Sequence, residues 1–334
     1  MLLVSTLSRS SRHPRSNMVE FPVLAPTLQI GFYERLREAQ TTFLLPALLE
    51  QVGRLDIETL DRELLEYAGS TRLAHLARRG LRGELLFATP YVLSSKPTLL
   101  GYYRLLLGFS QKEFYRPPFA RFKRMETQGL LPNSLREQLA PLCQSLAESA
   151  WLLLNGIPEI GQDVLRSLTM LTYGAQLRGQ RNVILGREAI HTAFALIKGI
   201  VAHALEAEGE SHLLVRSAAG RAYRIELAPD PDIAIRQVLA EGRLRNRIAI
   251  EVKGGTDVSN IHNRLGEAEK SHQKAKAEGF TEFWTVINVP PLAEQAWKKE
   301  TPTTTELFYL EDIVDPHNRA GERFREYLIS ELGI

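Results

Sequence analysis

Apolar residues recur at helical spacing through most of the first half of the chain, where leucines lie three and four positions apart. Asp56 stands where it can cap a helix whose leucines then face inward. Further helices are predicted over 99–114 and over 134–154, the second opened by Ser134 with a glutamate three residues later. We therefore expect residues 18–180 to be mostly α-helical.

The pattern changes after residue 180. Residues 185–208 predict one long amphipathic helix. Short runs of apolar and β-branched residues then predict strands within 212–218, 222–228, 232–240, 247–253, 282–289 and 306–310. A polar helix over 259–278 and a C-terminal helix over 317–332 complete the order α-β-β-β-α-β, which is typical of a central mixed sheet flanked by helices. We expect an α/β domain over 181–334.

Composition excludes several classes of protein. The 334 residues are 44% hydrophobic and 24% charged, enough to bury a core, and the net charge of +2 excludes a histone-like polycation. Cys143 is the single cysteine, so a cytoplasmic protein without disulfides is expected. No apolar run approaches the roughly 18 residues of a membrane span. Residues 1–17 contain arginines but no acid and are expected to be a disordered basic tail, with a transit peptide or translation from Met18 as alternatives.

The strand predicted over 247–253 carries a charged face. Its isoleucines point to one side, whereas Arg247, Glu251 and Lys253 point to the other, because successive side chains of a strand alternate. Asp232 precedes another alternating strand. If the two strands are neighbours, Asp232 and Glu251 converge and form an oxygen-rich site for a hard divalent cation such as Mg²⁺.

These residue types suit phosphodiester hydrolysis. A metal held by Asp232 and Glu251 can neutralise a phosphate and lower the pKa of a bound water, and Lys253 can orient that water and stabilise charge on the phosphoryl oxygens. The glycines at 254–255 are expected to let the backbone approach a ligand closely. The bare pattern is weak, since an edge strand with an ordinary solvated face would share it. Asp230 is an alternative to Asp232, and the facing pattern favours Asp232.

Asp232 followed by Glu251-Val252-Lys253, in this order of elements, resembles the PD-(D/E)XK nuclease superfamily. The glycines and helix after Lys253 are similar to those of type II restriction endonucleases, and residues 30–36 and 99–115 resemble the XcyI-like restriction enzymes. The resemblance implies a Mg²⁺-dependent homodimer that cuts double-stranded DNA at a short palindrome. For the narrow family the implied site is CCCGGG, cut after the first C to leave 5′-phosphate and 3′-hydroxyl ends.

The resemblance also implies roles for individual residues. Asp232, Glu251 and the backbone carbonyl of Val252 would bind the metal, and Lys253 would be the catalytic lysine. A further acidic ligand is expected on the preceding helix. Glu188 is the first choice and Glu206 the second, because Glu206 lies near the end of that helix.

Three groups of polar side chains are candidate DNA contacts. They comprise Arg243, Arg245 and Arg247 before the catalytic strand, Asn260, Arg264, Ser271 and Lys274 on the polar helix, and Arg121, Lys123 and Arg124 among aromatic residues. An ordinary solvated surface is the alternative for the polar helix and, with equal weight, for the aromatic segment, whereas the three arginines before the strand are the best-placed phosphate contacts. The sequence thus predicts a restriction endonuclease whose cognate methyltransferase is encoded nearby but is not a physical partner. A repair or recombination nuclease with the same core, and a non-catalytic DNA-binding protein with a degenerate motif, remain alternatives.

Overall fold

The computed structural model describes residues 25–291, 294–315 and 317–334, so the expected basic tail lies outside the described residues. The chain divides into two compact units, the first ending at Tyr173 and the second beginning at Gly174. The division falls inside a 40-residue helix, as does residue 180, where the sequence had placed the boundary. Among the described residues, no helix combines the length and hydropathy that a bilayer crossing requires.

The first unit is helical in its described residues, as predicted. Asp56 accepts a hydrogen bond from the backbone N–H of Thr59 at 2.9 Å and caps a helix whose Leu60 and Leu64 are buried. The helices are α1 (Thr27–Thr42), α2 (Leu45–Val52), α3 (Ile57–Ala68), α4 (Ser70–Ala77), α5 (Pro90–Ser95), α6 (Leu100–Leu106), α7 (Gln111–Phe114), α8 (Lys123–Gln128), α9 (Leu139–Gly156) and α10 (Gln162–Val201).

Two helices of this unit differ from the prediction. The helix expected over 99–114 is broken into α6 and α7, because Gly108 adopts a positive φ of 82° and Ser110 caps a new helix. The helix expected from Ser134 begins instead at Leu139. It is preceded by a 3₁₀ segment, Asn133–Gln138, which has no side-chain cap.

Over its described residues, the second unit is built on a seven-stranded mixed sheet. Its strands lie in chain order, with antiparallel pairing from β1 to β5 and parallel pairing from β5 to β7. They are β1 (Leu205–Glu208), β2 (His212–Arg216), β3 (Ala222–Leu227), β4 (Ile233–Val238), β5 (Leu244–Lys253), β6 (Glu282–Ile287) and β7 (Glu306–Tyr309). Helices α11 (Ile261–Ala277), α12 (Glu294–Glu300), α13 (Leu310–Val314) and α14 (Arg319–Leu332) complete the unit. The predicted mixed sheet with helices is therefore confirmed.

Strand β1 corrects the prediction of a helix over 185–208. Helix α10 ends at Val201, and Leu205–Glu208 pairs antiparallel with β2. The pairing satisfies backbone groups at the free edge of β2, a long-range gain that outweighs the local helical spacing. Glu206 consequently lies in an edge strand, where its carboxylate pairs with Arg216.

Helices cover both faces of the sheet at β5. Ile248 and Ile250 pack in one cluster with residues of α10 and α14, including Ala193 and Phe324. On the other face, Ala249 packs against Ala275 of α11. The alternation along β5 therefore directs its apolar residues into the larger core, and α11 packs over the face that carries Glu251.

Candidate active site

The antiparallel pairing of β4 with β5 brings two carboxylates together. Ile233 is paired with Ile250, so the next step of the register brings Asp232 beside Glu251. Oδ2 of Asp232 accepts a hydrogen bond from the backbone N–H of Val252 at 2.8 Å. The orientation of Asp232 is thus set by the backbone of β5.

Lys253 neutralises part of this acidic site. Its Nζ donates to Oε1 of Glu251 at 2.6 Å, and the two side chains are only 17% and 6% exposed. Burial raises the pKa of Glu251, and repulsion from Asp232 raises it further. Burial likewise raises the pKa of Asp232, against the opposing effects of the Val252 N–H and Lys253. Two carboxylates in a buried setting therefore share one ammonium group.

The donor set fits a divalent metal ion. Oε2 of Glu251 is buried and has no hydrogen-bond partner among the described residues. The N–H and C=O of a residue in an antiparallel strand point the same way, so the Val252 carbonyl lies on the Asp232 side of β5. Two carboxylates and a carbonyl are hard oxygen donors of the kind that Mg²⁺ binds, with water filling its other positions. Within the described residues, no group of three or more His, Cys, Asp or Glu side chains has metal-binding spacing.

The two other acidic candidates have different surroundings. Oδ2 of Asp230 accepts from Nζ of Lys274 at 2.9 Å, on the more exposed side of the site. Glu188 is exposed on α10 and joins no metal-binding group of three in the described chain. The geometry therefore favours Asp232 over Asp230, whereas the role of Glu188 stays a prediction.

The two glycines after Lys253 have a packing role that the sequence did not indicate. A Cβ added to Gly254 would lie 2.4 Å from the Cβ of Ala189 and 2.5 Å from the Leu185 carbonyl oxygen, so the absence of a side chain lets α10 approach the end of β5. Nη1 of Arg264 donates to the carbonyl oxygen of Gly255. The glycines admit other parts of this chain, and no ligand is needed to explain them.

The polar residues of α11 lie at different levels of the sheet. Lys274 contacts Asp230 at the site, Ser271 is partly exposed, and Asn260 accepts from the side-chain amide of Asn263 at 2.7 Å beside the first turn. Arg264 is held by Gly255, as described above. Lys274 is therefore the member of this group that the structure brings to the acidic cluster.

The three arginines at the start of β5 are not brought to the two carboxylates. Arg243 and Arg245 are exposed near the start of β5, and Arg245 lies six positions before Glu251 along the strand, or about 20 Å away. Arg247 was expected on the Glu251 face, but its Nη2 lies 3.5 Å from Glu331 of α14, which packs on the opposite face. A register shift beside Arg247, between Ile235 and Arg236, interrupts the regular alternation and explains the difference.

The aromatic and basic segment of the first unit has a mixed role. Phe114 and Phe122 are buried in the helical core, whereas Arg121, Lys123 and Arg124 are exposed. Arg121 donates to Gln138 at 2.7 Å and Arg124 to Gln128 at 2.9 Å. The aromatics thus anchor a segment that displays basic side chains.

His272 is a residue of this region that the sequence analysis missed. It is fully buried on α11, and its Nε2 lies 2.8 Å from Oγ1 of Thr285, the β6 residue paired with Glu251. Burial lowers its pKa to about 4. The sequence did contain one signal for His272. It lies between Ala268 and Ala275 on the apolar stripe of α11, where a polar side chain is unusual and needs a hydrogen-bond partner.

Two carboxylates and a lysine on neighbouring strands of a mixed sheet define a candidate site for metal-assisted phosphodiester cleavage, the chemistry of a nuclease. Residues 33–334 match the family model described as XcyI restriction endonuclease. The chain belongs to this family, as its sequence motifs had suggested.

Two curated relatives extend over nearly the whole chain. Type II restriction enzyme Cfr9I of Citrobacter freundii is 44% identical over 325 residues, which cover 96% of this chain and 98% of that protein. Type II restriction enzyme XcyI of Xanthomonas campestris pv. cyanopsidis is 46% identical over 317 residues, which cover 93% and 94%. This chain is accordingly a restriction endonuclease, a hydrolase that acts on double-stranded DNA, and enzymes of this type generally use a divalent metal.

Proposed function

We propose that this enzyme is a Mg²⁺-dependent type II restriction endonuclease with a PD-(D/E)XK catalytic centre at Asp232, Glu251 and Lys253. The single observation that carries the proposal is the meeting of these three side chains on neighbouring strands, with a buried oxygen of Glu251 unpartnered in the described structure. The restriction-endonuclease-like core follows from the same arrangement.

Each residue has a distinct task. Asp232, Glu251 and the Val252 carbonyl hold the metal ion, which when bound supplies positive charge to the scissile phosphate and acidifies water. Lys253 is fixed beside Glu251, where its ammonium group orients the attacking water and stabilises charge on the phosphoryl oxygens. The cleavage leaves 5′-phosphate and 3′-hydroxyl ends.

The proposed substrate is a short palindromic site rich in G·C pairs. The resemblance to the XcyI-like enzymes favours CCCGGG, cut after the first C. A palindrome is matched by a two-fold dimer in which each subunit cuts one strand, so we propose a homodimer. We also propose a cytoplasmic location, which the single cysteine of the chain supports, and a methyltransferase encoded nearby that would protect the host site.

The proposed DNA contacts fall into two groups. Lys274, Ser271 and Arg264 lie on α11, the helix that packs on the Glu251 face, and Asn260 directly precedes it; these four residues suit phosphates near the scissile bond. The remaining basic candidates are Arg243, Arg245, Arg247, Arg121, Lys123 and Arg124, which suit phosphates further along the duplex. Loss of one phosphate contact is expected to weaken DNA binding. It should also reduce by about one the slope of the logarithm of the binding constant against the logarithm of the salt concentration.

Digestion of a plasmid with one CCCGGG site tests the proposal. With Mg²⁺ we expect one linear product whose sequenced ends place the cut after the first C, and with EDTA we expect intact plasmid. A plasmid from which the site has been removed is the matched control and should stay intact. A smear of fragments would indicate a repair or non-specific nuclease, and intact DNA across divalent metals and salt concentrations would contradict the proposal.

Lys253→Ala separates catalysis from binding. We expect cleavage to be lost, while the variant still retards a duplex containing the site, because the lysine acts on the reacting groups. Retained cleavage by this variant would overturn the assignment of Lys253. Binding without cleavage by the unaltered enzyme would instead favour the non-catalytic alternative.

A further inference from the structure

A chain of buried hydroxyl groups connects α11 with the strand next to the catalytic carboxylate. Oγ1 of Thr285 lies 2.9 Å from that of Thr304, which lies 2.6 Å from that of Thr301. Thr301 donates to Oε2 of Glu269 at 3.2 Å. At the other end, Thr285 contacts Nε2 of His272 at 2.8 Å. The chain therefore runs from a carboxylate on α11 through three threonines and back to an imidazole one turn away.

The carboxylate fixes the direction of every hydrogen bond in the chain. Partial burial raises the pKa of Glu269, but hydrogen bonds from Gln273 and Thr303 outweigh it and lower the pKa overall, so Glu269 is an ionised acceptor at neutral pH. A hydroxyl has one proton to donate. Since the proton of Thr301 goes to Glu269, each threonine must accept from the next, and Thr285 must accept from His272.

This direction leaves one nitrogen of His272 as an acceptor. Nε2 must carry the proton, so Nδ1 carries the lone pair, and Nδ1 is buried without a hydrogen-bond partner among the described residues. Lys253 reaches the same place from β5, because its Nζ lies 2.6 Å from Oε1 of Glu251, and Glu251 is paired with Thr285, the residue that His272 contacts. The charged groups that act on the pKa of His272 are Glu269, Lys253 and Asp230. Phe283 of β6 is the aromatic neighbour of the His272 ring, and the two rings meet edge-on. Lys253 is the donor among these groups.

We propose that His272 is a positioning residue of the nuclease site, held in the Nε2–H tautomer by the Glu269–Thr301–Thr304–Thr285 chain so that Nδ1 accepts from the Lys253 ammonium group or from a water molecule it holds. This proposal rests on the proposed function of Lys253. In the structure Lys253 donates to Glu251. When Glu251 engages a metal ion, the neutral imidazole gives Lys253 a second acceptor and keeps it in place.

The tautomer can be observed directly. In the full-length protein labelled with ¹⁵N-histidine, we expect NMR to show His272 as a neutral Nε2–H tautomer between pH 6 and 8, with His272→Asn providing the assignment. Thr304→Val removes one hydroxyl from this chain of hydrogen bonds, at a position outside the proposed active site. The Nδ1–H tautomer of His272 should then appear. A native Nδ1–H tautomer, or a tautomer unchanged by Thr304→Val, would overturn the proposal. This measurement does not depend on DNA cleavage.

Two substitutions then separate positioning from simple packing. Asn places an acceptor near the position of Nδ1, whereas Gln places its amide near the position of Nε2 and preserves the contact with Thr285. We expect the kcat of His272→Asn to stay within about threefold of the native enzyme and that of His272→Gln to fall about tenfold to a hundredfold, the usual effect of losing an outer partner at a metal site.

The reverse order of the two variants, or equal effects, would show that His272 serves only as a link to Thr285. Thermal unfolding of both variants establishes that each is folded before kinetics are compared. If the native enzyme fails to cleave at all, the proposed function fails, whereas cleavage with the wrong order of variants defeats only the role of His272.

Discussion

The backbone N–H of Val252 donates to Oδ2 of Asp232 at 2.8 Å, so the strand that carries Glu251 and Lys253 also orients the carboxylate of its neighbour. Pairing of two strands, and not a further side chain, therefore assembles the acidic site. One consequence is that an amide at position 232 can accept the same hydrogen bond through its carbonyl oxygen. The charge of Asp232 can then be removed without breaking the contact.

Asp232→Asn and Asp230→Asn distinguish the two aspartates of the motif. Asp232 faces Glu251 in the sheet, whereas Asp230 pairs with Lys274 outside it. We expect Asp232→Asn to lower kcat about a thousandfold, because several kcal/mol of charge stabilisation by a metal is lost, and Asp230→Asn to lower it by less than about fivefold. Single-turnover cleavage of a duplex containing the site measures both. The opposite order would assign the metal to Asp230.

Stability without metal should decrease with pH because of the buried acids. The folded state holds protons on Asp232 and Glu251 more tightly than the unfolded chain, since burial raises the pKa of both. Their unfavourable effect is absent below the ordinary carboxyl range of about 4 and develops as pH rises from there through the raised pKa values. Asp232→Asn removes one charge and should therefore stabilise the metal-free protein at neutral pH.

The measurement is thermal unfolding in EDTA at a series of pH values, taken as the difference between Asp232→Asn and the native protein. We expect a difference near zero at low pH and a gain of about 1 kcal/mol, or a few degrees, near pH 7. Asp230→Asn is the matched control, because its partner Lys274 is exposed. A variant less stable than the native protein at neutral pH would contradict this account of the site.

Local rules were sufficient to predict strand β5. The alternation along β5 indicated the faces of Glu251 and Lys253, because a two-residue period needs no knowledge of distant contacts. The same rule misplaced Arg247, since a register shift between β4 and β5 depends on how two strands pair. The sequence contained no sign of that shift.

Long-range pairing also explains the other differences. Leu205–Glu208 has helical spacing, and its strand conformation depends on the free edge of β2. His272 was overlooked because its partners, Thr285 and Thr304, are brought to α11 only by the fold. The glycines at 254–255 were expected to admit a ligand, because the sequence could not show that α10 approaches Gly254.

Gly254→Ala should impair catalysis through backbone displacement. The new methyl group would overlap Ala189 and the Leu185 carbonyl, so α10 or the end of β5 must move, directly after Lys253. We expect kcat to fall about a hundredfold, since a displacement near 1 Å of catalytic groups has this cost. Gly266→Ala on α11 is the control, because its methyl group meets nothing within 4 Å, and its activity should be unchanged. Equal activity of the two variants would contradict the packing role.

The first unit contains a buried ion pair that anchors its aromatic and basic segment. Arg104 donates to both oxygens of Glu126 at 2.7 and 2.8 Å, and both side chains are at most 3% exposed. Gln111 and the hydroxyl of Tyr115 each donate to the same carboxylate at 2.6 Å. Glu126 thus accepts four hydrogen bonds from three residues, and loss of its charge removes the buried carboxylate that pairs with the Arg104 guanidinium group.

Glu126→Gln should therefore destabilise the protein by about 3–5 kcal/mol, the usual cost of breaking a buried pair from one side. Glu148→Gln is the matched control, because Glu148 also binds an arginine, Arg72 at 2.8 Å, but is 59% exposed, and its loss should cost less than about 1 kcal/mol. Urea unfolding followed by circular dichroism measures both. The difference should persist in high salt, since water and ions screen the exposed pair and do not reach the buried one. Similar losses for the two variants would mean that the Arg104–Glu126 pair contributes no more than a surface contact.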